Sequence, residues 1–171
     1  VKCLVFYHPA DPAALRAEQD ALLLEVWQAC NKSGHELLLE VILPENGPDK
    51  DERHYHTMLE HFYQLGIKPD WWKLPPLSSA SWQQITALIE REDPWSRGIL
   101  ILGLDAPSDK LRAGFAEAAA HPMIKGFAVG RTIFGQPSRR WMQGELSDEA
   151  LIEEVKRNYL TLIGYWREAR R

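Results

Sequence analysis

The chain has 171 residues, of which 45% are hydrophobic and 26% charged, and its formal net charge is −4. This length and composition predict one globular domain with a sizeable core. No basic run or stripe is present, which argues against a nucleic-acid partner. No apolar run reaches the ~18 residues of a membrane span and no signal peptide is present, so we expect neither membrane insertion nor export.

The two cysteines, Cys3 and Cys30, fall in a predicted strand and a predicted helix. Two reduced core thiols in a cytoplasmic protein are favoured over a disulfide. The chain opens at Val1, without methionine and directly inside an apolar strand, which indicates a piece cut from a longer chain.

The first part of the chain predicts two strand–helix pairs. Residues 2–7 are nearly all apolar and predict a strand, and the amphipathic helix after them stops at Gly34. Residues 37–43 predict the second strand. A polar, proline-bounded loop over residues 44–51 leads into a second helix, which ends at Gly66.

Two further strand–helix pairs follow. The short apolar run over residues 69–76 predicts a third strand that carries Lys73, because it is too short for a helix and is bounded by prolines. Its helix is closed by Asp93-Pro94. Residues 98–103 predict the fourth strand, and the helix after it is broken by His121-Pro122.

The last unit is less regular. Residues 125–129 predict the fifth strand, and Gly130-Arg131 begins a short helical segment through Phe134. Residues 137–144 are expected to be irregular, because they start with a proline and end with a glycine. The final helix begins at Ser147.

Five strand–helix units in series predict an α/β fold with a parallel sheet built by βαβ crossovers. Two architectures fit. One is a five-stranded, flavodoxin-like open sheet. The other is a contiguous part of a (β/α)8 barrel, and the abrupt start inside a strand favours it. Composition does not shift along the chain, so residues 1–171 are expected to form a single, partial barrel domain.

Lys73 and Glu40 stand out because each interrupts an otherwise apolar strand. Strands of a parallel sheet are covered on both faces, so a charged side chain inside one is costly. On adjacent strands the two groups can act as a Schiff-base amine and a general acid/base. The alternatives are a buried ion pair without chemistry, or a lysine at the strand mouth whose ammonium reaches water.

Gly103 and Gly130-Arg131 lie at the carboxyl ends of the last two predicted strands. Glycine allows backbone N–H groups to approach a ligand, a helix N-terminus favours an anion, and Arg131 can add a bidentate contact. In eight-unit barrels, phosphates bind near the last two strands. The alternative is that both glycines only permit tight turns.

Lys2 alternates with Leu4, Phe6 and His8, so we expect these four side chains to project to one side of the first strand. If that side is a barrel interior, Lys2 is a second internal lysine. If the protein starts at Val1, Lys2 is a terminal residue without a role.

Other motifs give little support for other chemistries. His54, His56 and His61 suggest metal ligands, but no cysteine or carboxylate spacing completes a set, so no metal is expected. The Walker, dinucleotide-binding and Gly-x-Ser-x-Gly motifs are absent, which leaves nucleotide binding and serine hydrolysis without support.

Four segments carry a family resemblance: Val1 to Pro9, Leu39-Glu40, Trp72-Lys73-Leu74, and Gly126 to Arg131 with the downstream Trp141 and Gln143-Gly144-Glu145. Together they resemble the class I aldolase-like barrel domain fused C-terminal to 5-dehydro-2-deoxygluconokinase, a sugar kinase of myo-inositol catabolism. That domain is similar to tagatose bisphosphate aldolase. The resemblance covers most of the chain and implies strands four to eight of the barrel, with three units missing.

The resemblance also implies roles for six residues. Lys73 would be the Schiff-base lysine, Glu40 the acid/base carboxylate, and Lys2 a second active-site lysine. Gly103, Gly130 and Arg131 would hold the phosphate. The carboxylate and the lysine that the aldolases carry on strands one and three have no counterpart here, because those strands are absent.

The expected function is therefore a carbon–carbon lyase. It would act through a lysine imine, without a cofactor, on a phosphorylated ketose or keto-sugar acid such as 2-deoxy-5-keto-gluconate phosphate. The alternative is a non-catalytic or sugar-phosphate-sensing module of a carbohydrate kinase. A five-unit piece leaves two sheet edges open, so we expect a homo-oligomer or the missing barrel half to cover them.

Overall fold

The structure is a computed structural model that describes residues 1–171. Five strands alternate with helices, and a sixth helix follows the fifth. The elements are β1 (Lys2–Phe6), α1 (Ala13–Ser33), β2 (Leu38–Ile42), α2 (Arg53–Gln64), β3 (Trp71–Leu74), α3 (Ser79–Glu92), β4 (Gly98–Ile101), α4 (Ser108–Ala118), β5 (Ile124–Phe127), α5 (Arg131–Met142) and α6 (Asp148–Ala169). The predicted α/β class is confirmed.

All neighbouring strands are parallel, and the sheet order is β1-β2-β3-β4-β5. Each strand therefore pairs with the next strand in the sequence, as consecutive strands of a (β/α)8 barrel do. The flavodoxin order, 2-1-3-4-5, instead places the second strand at an edge. The predicted parallel sheet of (β/α) units is confirmed, and its strand order is the sequential one.

The helices gather on one face of the sheet. When every right-handed crossover moves to the next strand in the same direction, each helix is placed on the same side. On that side Val41, Trp72 and Ile101 are fully buried, within a core cluster of 27 buried residues. Trp72 also donates its indole N–H to the Tyr63 hydroxyl at 2.9 Å, which satisfies the only polar atom of its ring.

The opposite face of the sheet, here called the open face, carries the alternate side chains of the strands. Leu4 and Phe6 of β1 lie there and are 40% and 50% exposed. Glu40 and Lys73 lie on the same open face, because the residues next to each of them along the strand point into the core. Strand alternation thus separates a packed apolar face from an accessible face that carries charge.

Helix α5 corrects the expectation of an irregular stretch over residues 137–144. It continues through Pro137 to Met142. Proline removes the N–H that would have bonded to the carbonyl of Ile133, four residues earlier. The Asn158 side-chain amide of α6 donates to that carbonyl at 2.8 Å, so the neighbouring helix replaces the missing donor.

The expectation that His8 projects beside Lys2, Leu4 and Phe6 is also wrong. The strand ends at Phe6, and period-two alternation ends with it. The His8 ring is fully buried and packs against His54 of α2, with ring centroids 4.6 Å apart. None of the six helices has the length and apolar composition needed to cross a membrane.

Candidate functional site

Three charged side chains form a chain of ion pairs on the open face. Glu40 of β2 is the register partner of Lys73 on β3, and Lys2 of β1 pairs two positions before Glu40. One carboxylate oxygen, Oε1, lies 2.9 Å from Lys73 Nζ, and Oε2 lies 2.9 Å from Lys2 Nζ. Each of the two lysines predicted from the sequence therefore contacts the predicted carboxylate.

The three groups differ in their access to water. The side chain of Glu40 is 9% exposed, that of Lys73 is 15% exposed, and that of Lys2 is 52% exposed. Burial alone would raise the pKa of Glu40, but hydrogen bonds and charge from Lys2 and Lys73 outweigh it, and the net pKa is below its usual value. Glu40 is thus an ionised carboxylate at neutral pH.

All six residues predicted as site residues line one cavity of about 310 Å³ over the open face. Its lining includes the Lys2–Glu40–Lys73 cluster. It also includes Gly103, Gly130 and Arg131, which follow β4 and β5. The reactive amine and the expected anion site therefore open into the same space.

Gly103 is required by the close approach of the β4 and β5 ends. A Cβ atom at this position would lie 2.8 Å from Cγ1 of Val129 and 3.3 Å from Oγ1 of Thr132. Gly103 thus brings the loop after β4 against the start of α5. This contact forms the end of the cavity where an anion is expected.

Arg131 is the first residue of α5, and none of the chain's salt bridges involves it. The first N–H groups of a helix have no acceptor within the helix, and the helix dipole adds partial positive charge. Backbone donors and an unpaired guanidinium therefore meet at the cavity wall. This combination suits a phosphate or carboxylate group.

The turn after β4 has a strained backbone at the cavity rim. Leu104 and Asp105 both have left-handed backbone angles, with φ of 47° and 61°, and Ala106 N–H donates to the Gly103 carbonyl at 2.8 Å. These features define a type I′ turn, which normally uses glycine, asparagine or aspartate. A leucine there costs about 1–2 kcal/mol. Sequence reasoning missed this turn because leucine gives no turn signal.

A larger cavity of about 910 Å³ adjoins the first. The two share the side chains of Phe6, Leu104, Asp105 and Arg131, among others. The β2–α2 loop, including Lys50, forms part of its wall. No residue of this loop is among the predicted site residues, although the loop follows the end of β2, where ligand contacts are expected. A ligand longer than the first cavity has room to extend here.

The sequence was compared with curated proteins and with protein-family models. No curated protein matches the chain. A family model described as "Uncharacterized protein conserved in bacteria (DUF2090)" matches residues 1–170, nearly the whole chain. The chain that carries this Lys2–Glu40–Lys73 cluster therefore belongs to the family described as an uncharacterized protein conserved in bacteria (DUF2090).

Proposed function

We propose that the protein is a class I aldolase-type lyase that cleaves a phosphorylated ketose or keto-sugar acid through an imine on Lys73. The observation that carries this proposal is the Glu40 carboxylate, which bridges Lys73 and Lys2 in a cavity that Arg131 also lines. Class I chemistry needs an amine, a proton acceptor beside it, and a fixed position for the substrate. Candidate groups for all three requirements line one cavity.

Lys73 Nζ, after losing its proton, attacks the ketone carbon, and water leaves to give a protonated imine. Glu40 then takes the proton from a substrate hydroxyl as the carbon–carbon bond breaks, and the electron pair moves into the imine to give an enamine. Protonation of the enamine carbon and hydrolysis by water regenerate the amine. Lys2, which contacts Glu40, would donate a hydrogen bond to a substrate oxygen.

The anionic end of the substrate would bind at the start of α5. Backbone N–H groups there and the Arg131 guanidinium supply charge-assisted hydrogen bonds. The resemblance to the kinase-fused aldolase-like domain suggests 2-deoxy-5-keto-gluconate phosphate as the substrate. Reversible binding at this end would hold the ketone near Lys73.

Borohydride trapping tests the proposal. The protein is incubated with a panel of ketose phosphates and borohydride, and intact mass and peptide mapping locate any reduced adduct. One adduct on Lys73, lost in Lys73→Met and retained in Lys32→Met, is the expected result. Lys32 is a suitable control because it lies at the end of α1, remote from the open face. A well-folded protein that gives no adduct with any member of the panel would overturn the lyase proposal.

The second candidate is a module that binds a sugar phosphate without chemistry. Two observations favour it: Lys73 is ion-paired with Glu40, whereas attack needs a neutral amine, and Lys2 is half exposed on an open face. Catalysis usually excludes water from the reacting groups. Saturable binding of a ketose phosphate that depends on Arg131 but yields no borohydride adduct would support this candidate.

A further inference from the structure

Three side chains from separate segments meet beyond the end of β1. His8 follows β1, Asp49 lies in the β2–α2 loop, and His54 lies in the first turn of α2. One nitrogen or oxygen from each residue lies within 4.8 Å of the other two. His54 Nε2 is 2.7 Å from Asp49 Oδ1, and His8 Nε2 is 3.8 Å from the same oxygen.

His8 sets this cluster apart from an ordinary surface histidine–aspartate pair. Its side chain is 0% exposed, and its Nε2 atom has no hydrogen-bond partner. Buried polar atoms are nearly always paired, because an unpaired one loses its bonds to water without replacement. The unpaired nitrogen faces Asp49, and the ring packs edge to face on His54. An additional bound group between the three side chains would give Nε2 a partner.

We propose that His8, Asp49 and His54 bind a divalent transition-metal ion such as Zn²⁺. Two imidazoles and one carboxylate are ligands that zinc prefers, and a water molecule can complete the tetrahedron. Zinc–ligand bonds of about 2.0–2.1 Å place neighbouring ligand atoms about 3.3 Å apart. The two distances to Asp49 Oδ1, 2.7 and 3.8 Å, lie on either side of that value. All three ligand atoms lie within 4.8 Å of one another, so a pair needs to approach by at most about 1.5 Å to close the site.

Metal loading requires a proton shift within His8. Ala10 N–H lies 3.0 Å from His8 Nδ1, so a neutral His8 accepts at Nδ1 and carries its proton on Nε2. Coordination through Nε2 moves that proton to Nδ1, so the Nδ1–H and Ala10 N–H donors would face each other and the Ala10 amide must turn away. Breaking this bond leaves two donors without partners and lowers the affinity, but the cost is small beside the free energy of zinc binding by three ligands.

The proposed ion would fix the β2–α2 loop to the end of β1. That loop contributes Pro44, Asn46 and Lys50 to the wall of the larger cavity, while His8, Asp49 and His54 lie outside it. The metal would therefore shape the cavity without contacting Lys73 or Glu40. This role does not depend on the lyase proposal, and the two proposals are tested by separate experiments.

Calorimetric titration of the chelator-treated chain with Zn²⁺ alone tests the site. We expect one ion per chain, a higher melting temperature with zinc, and at least tenfold weaker binding in both His54→Ala and Asp49→Asn. His56→Ala is the matched control, because His56 lies on the same helix outside the cluster and should leave affinity unchanged. The His54 and Asp49 variants are used because both side chains are partly exposed, whereas buried His8 also supports folding.

Co²⁺ absorption identifies the ligands. Tetrahedral coordination by nitrogen and oxygen gives visible bands, and the absence of a strong near-ultraviolet thiolate band excludes Cys3 and Cys30. No binding at 100-fold excess of zinc over protein would overturn the proposal. Binding that His54→Ala leaves unchanged, or that shows the thiolate band, would likewise overturn it by placing the ion elsewhere.

Discussion

Glu40 and Lys73 stand directly opposite each other on adjacent parallel strands, and Glu40 Oε1 lies 2.9 Å from Lys73 Nζ. Lys2 takes the other carboxylate oxygen, so one negative group faces two ammonium groups. The cluster keeps an excess positive charge in an otherwise acidic chain whose net charge is −4. Local rather than total charge therefore makes this face favourable for an anion.

Replacing Glu40 should change how stability depends on pH. The folded-state pKa of Glu40 is lowered by the two lysines, although burial opposes this. A lowered pKa contributes stability above the unfolded-state pKa, and that contribution disappears as the pH falls through the folded-state value. We expect the melting temperature of Glu40→Gln to fall less steeply than wild type below about pH 4.5. Thermal melts from pH 7 to pH 3 measure this, and parallel curves for the two proteins would contradict it.

The two lysines should differ in their structural importance. Lys2→Met removes a half-exposed partner and should change the free energy of unfolding by less than about 1 kcal/mol. Lys73→Met removes a nearly buried partner of a nearly buried carboxylate and should cost about 1–3 kcal/mol. Urea unfolding at pH 7 compares them. Equal losses in the two variants would show that the exposure difference does not govern their contributions.

Gly103→Ala should destabilise the end of the cavity. Its Cβ would approach Cγ1 of Val129 to 2.8 Å, so the Val129 side chain or the backbone after β4 and β5 must shift, at a cost of about 1–3 kcal/mol. Phosphate affinity should fall with it, because α5 begins at this contact. Gly126→Ala is the control, since nothing lies within 4 Å of its Cβ. Denaturant unfolding and phosphate titration of both variants decide the matter, and an equally stable Gly103→Ala would refute the steric explanation.

Leu104→Asn should stabilise the protein by about 1 kcal/mol, because asparagine tolerates the left-handed conformation better than leucine. Little apolar burial is lost, as Leu104 is 49% exposed. Leu22→Asn provides the comparison: Leu22 is 56% exposed but lies in the right-handed helix α1, so no gain is expected. Melting temperatures report the difference. A loss of stability in Leu104→Asn would indicate that the leucine side chain, rather than backbone strain, dominates.

The sequence was sufficient to predict the positions of the strands and the polar residues that interrupt them. Strand alternation explains this success: Glu40 and Lys73 lie among apolar neighbours, so they could only be on the face without helices. Apolar periodicity likewise located the helices to within a few residues, except α5, which continues to Met142. Such local signals carry through to the structure because period-two and 3.6-residue patterns directly determine which face is buried.

The errors came from contacts between distant segments. Pro137 predicted a break, but Asn158 supplies the missing donor from another helix. His8, Asp49 and His54 were not grouped, because they come from three segments and only the fold brings them within 4.8 Å. The left-handed Leu104 was also missed, since leucine does not favour this conformation and gives no turn signal in the sequence.

The sequential order β1 to β5 makes the molecule a linear array, in which each unit has its main contacts with the unit before and after it in the chain. Such an array can begin folding at any neighbouring pair and extend in both directions, as solenoid repeats do. Strands β2, β3 and β4 each have a hydrogen-bonded neighbour on both sides, whereas β1 and β5 each have one, and β3, which carries Lys73, is the farthest from both edges. Amide protons near Lys73 are therefore expected to exchange most slowly, and local opening to increase toward both ends of the array.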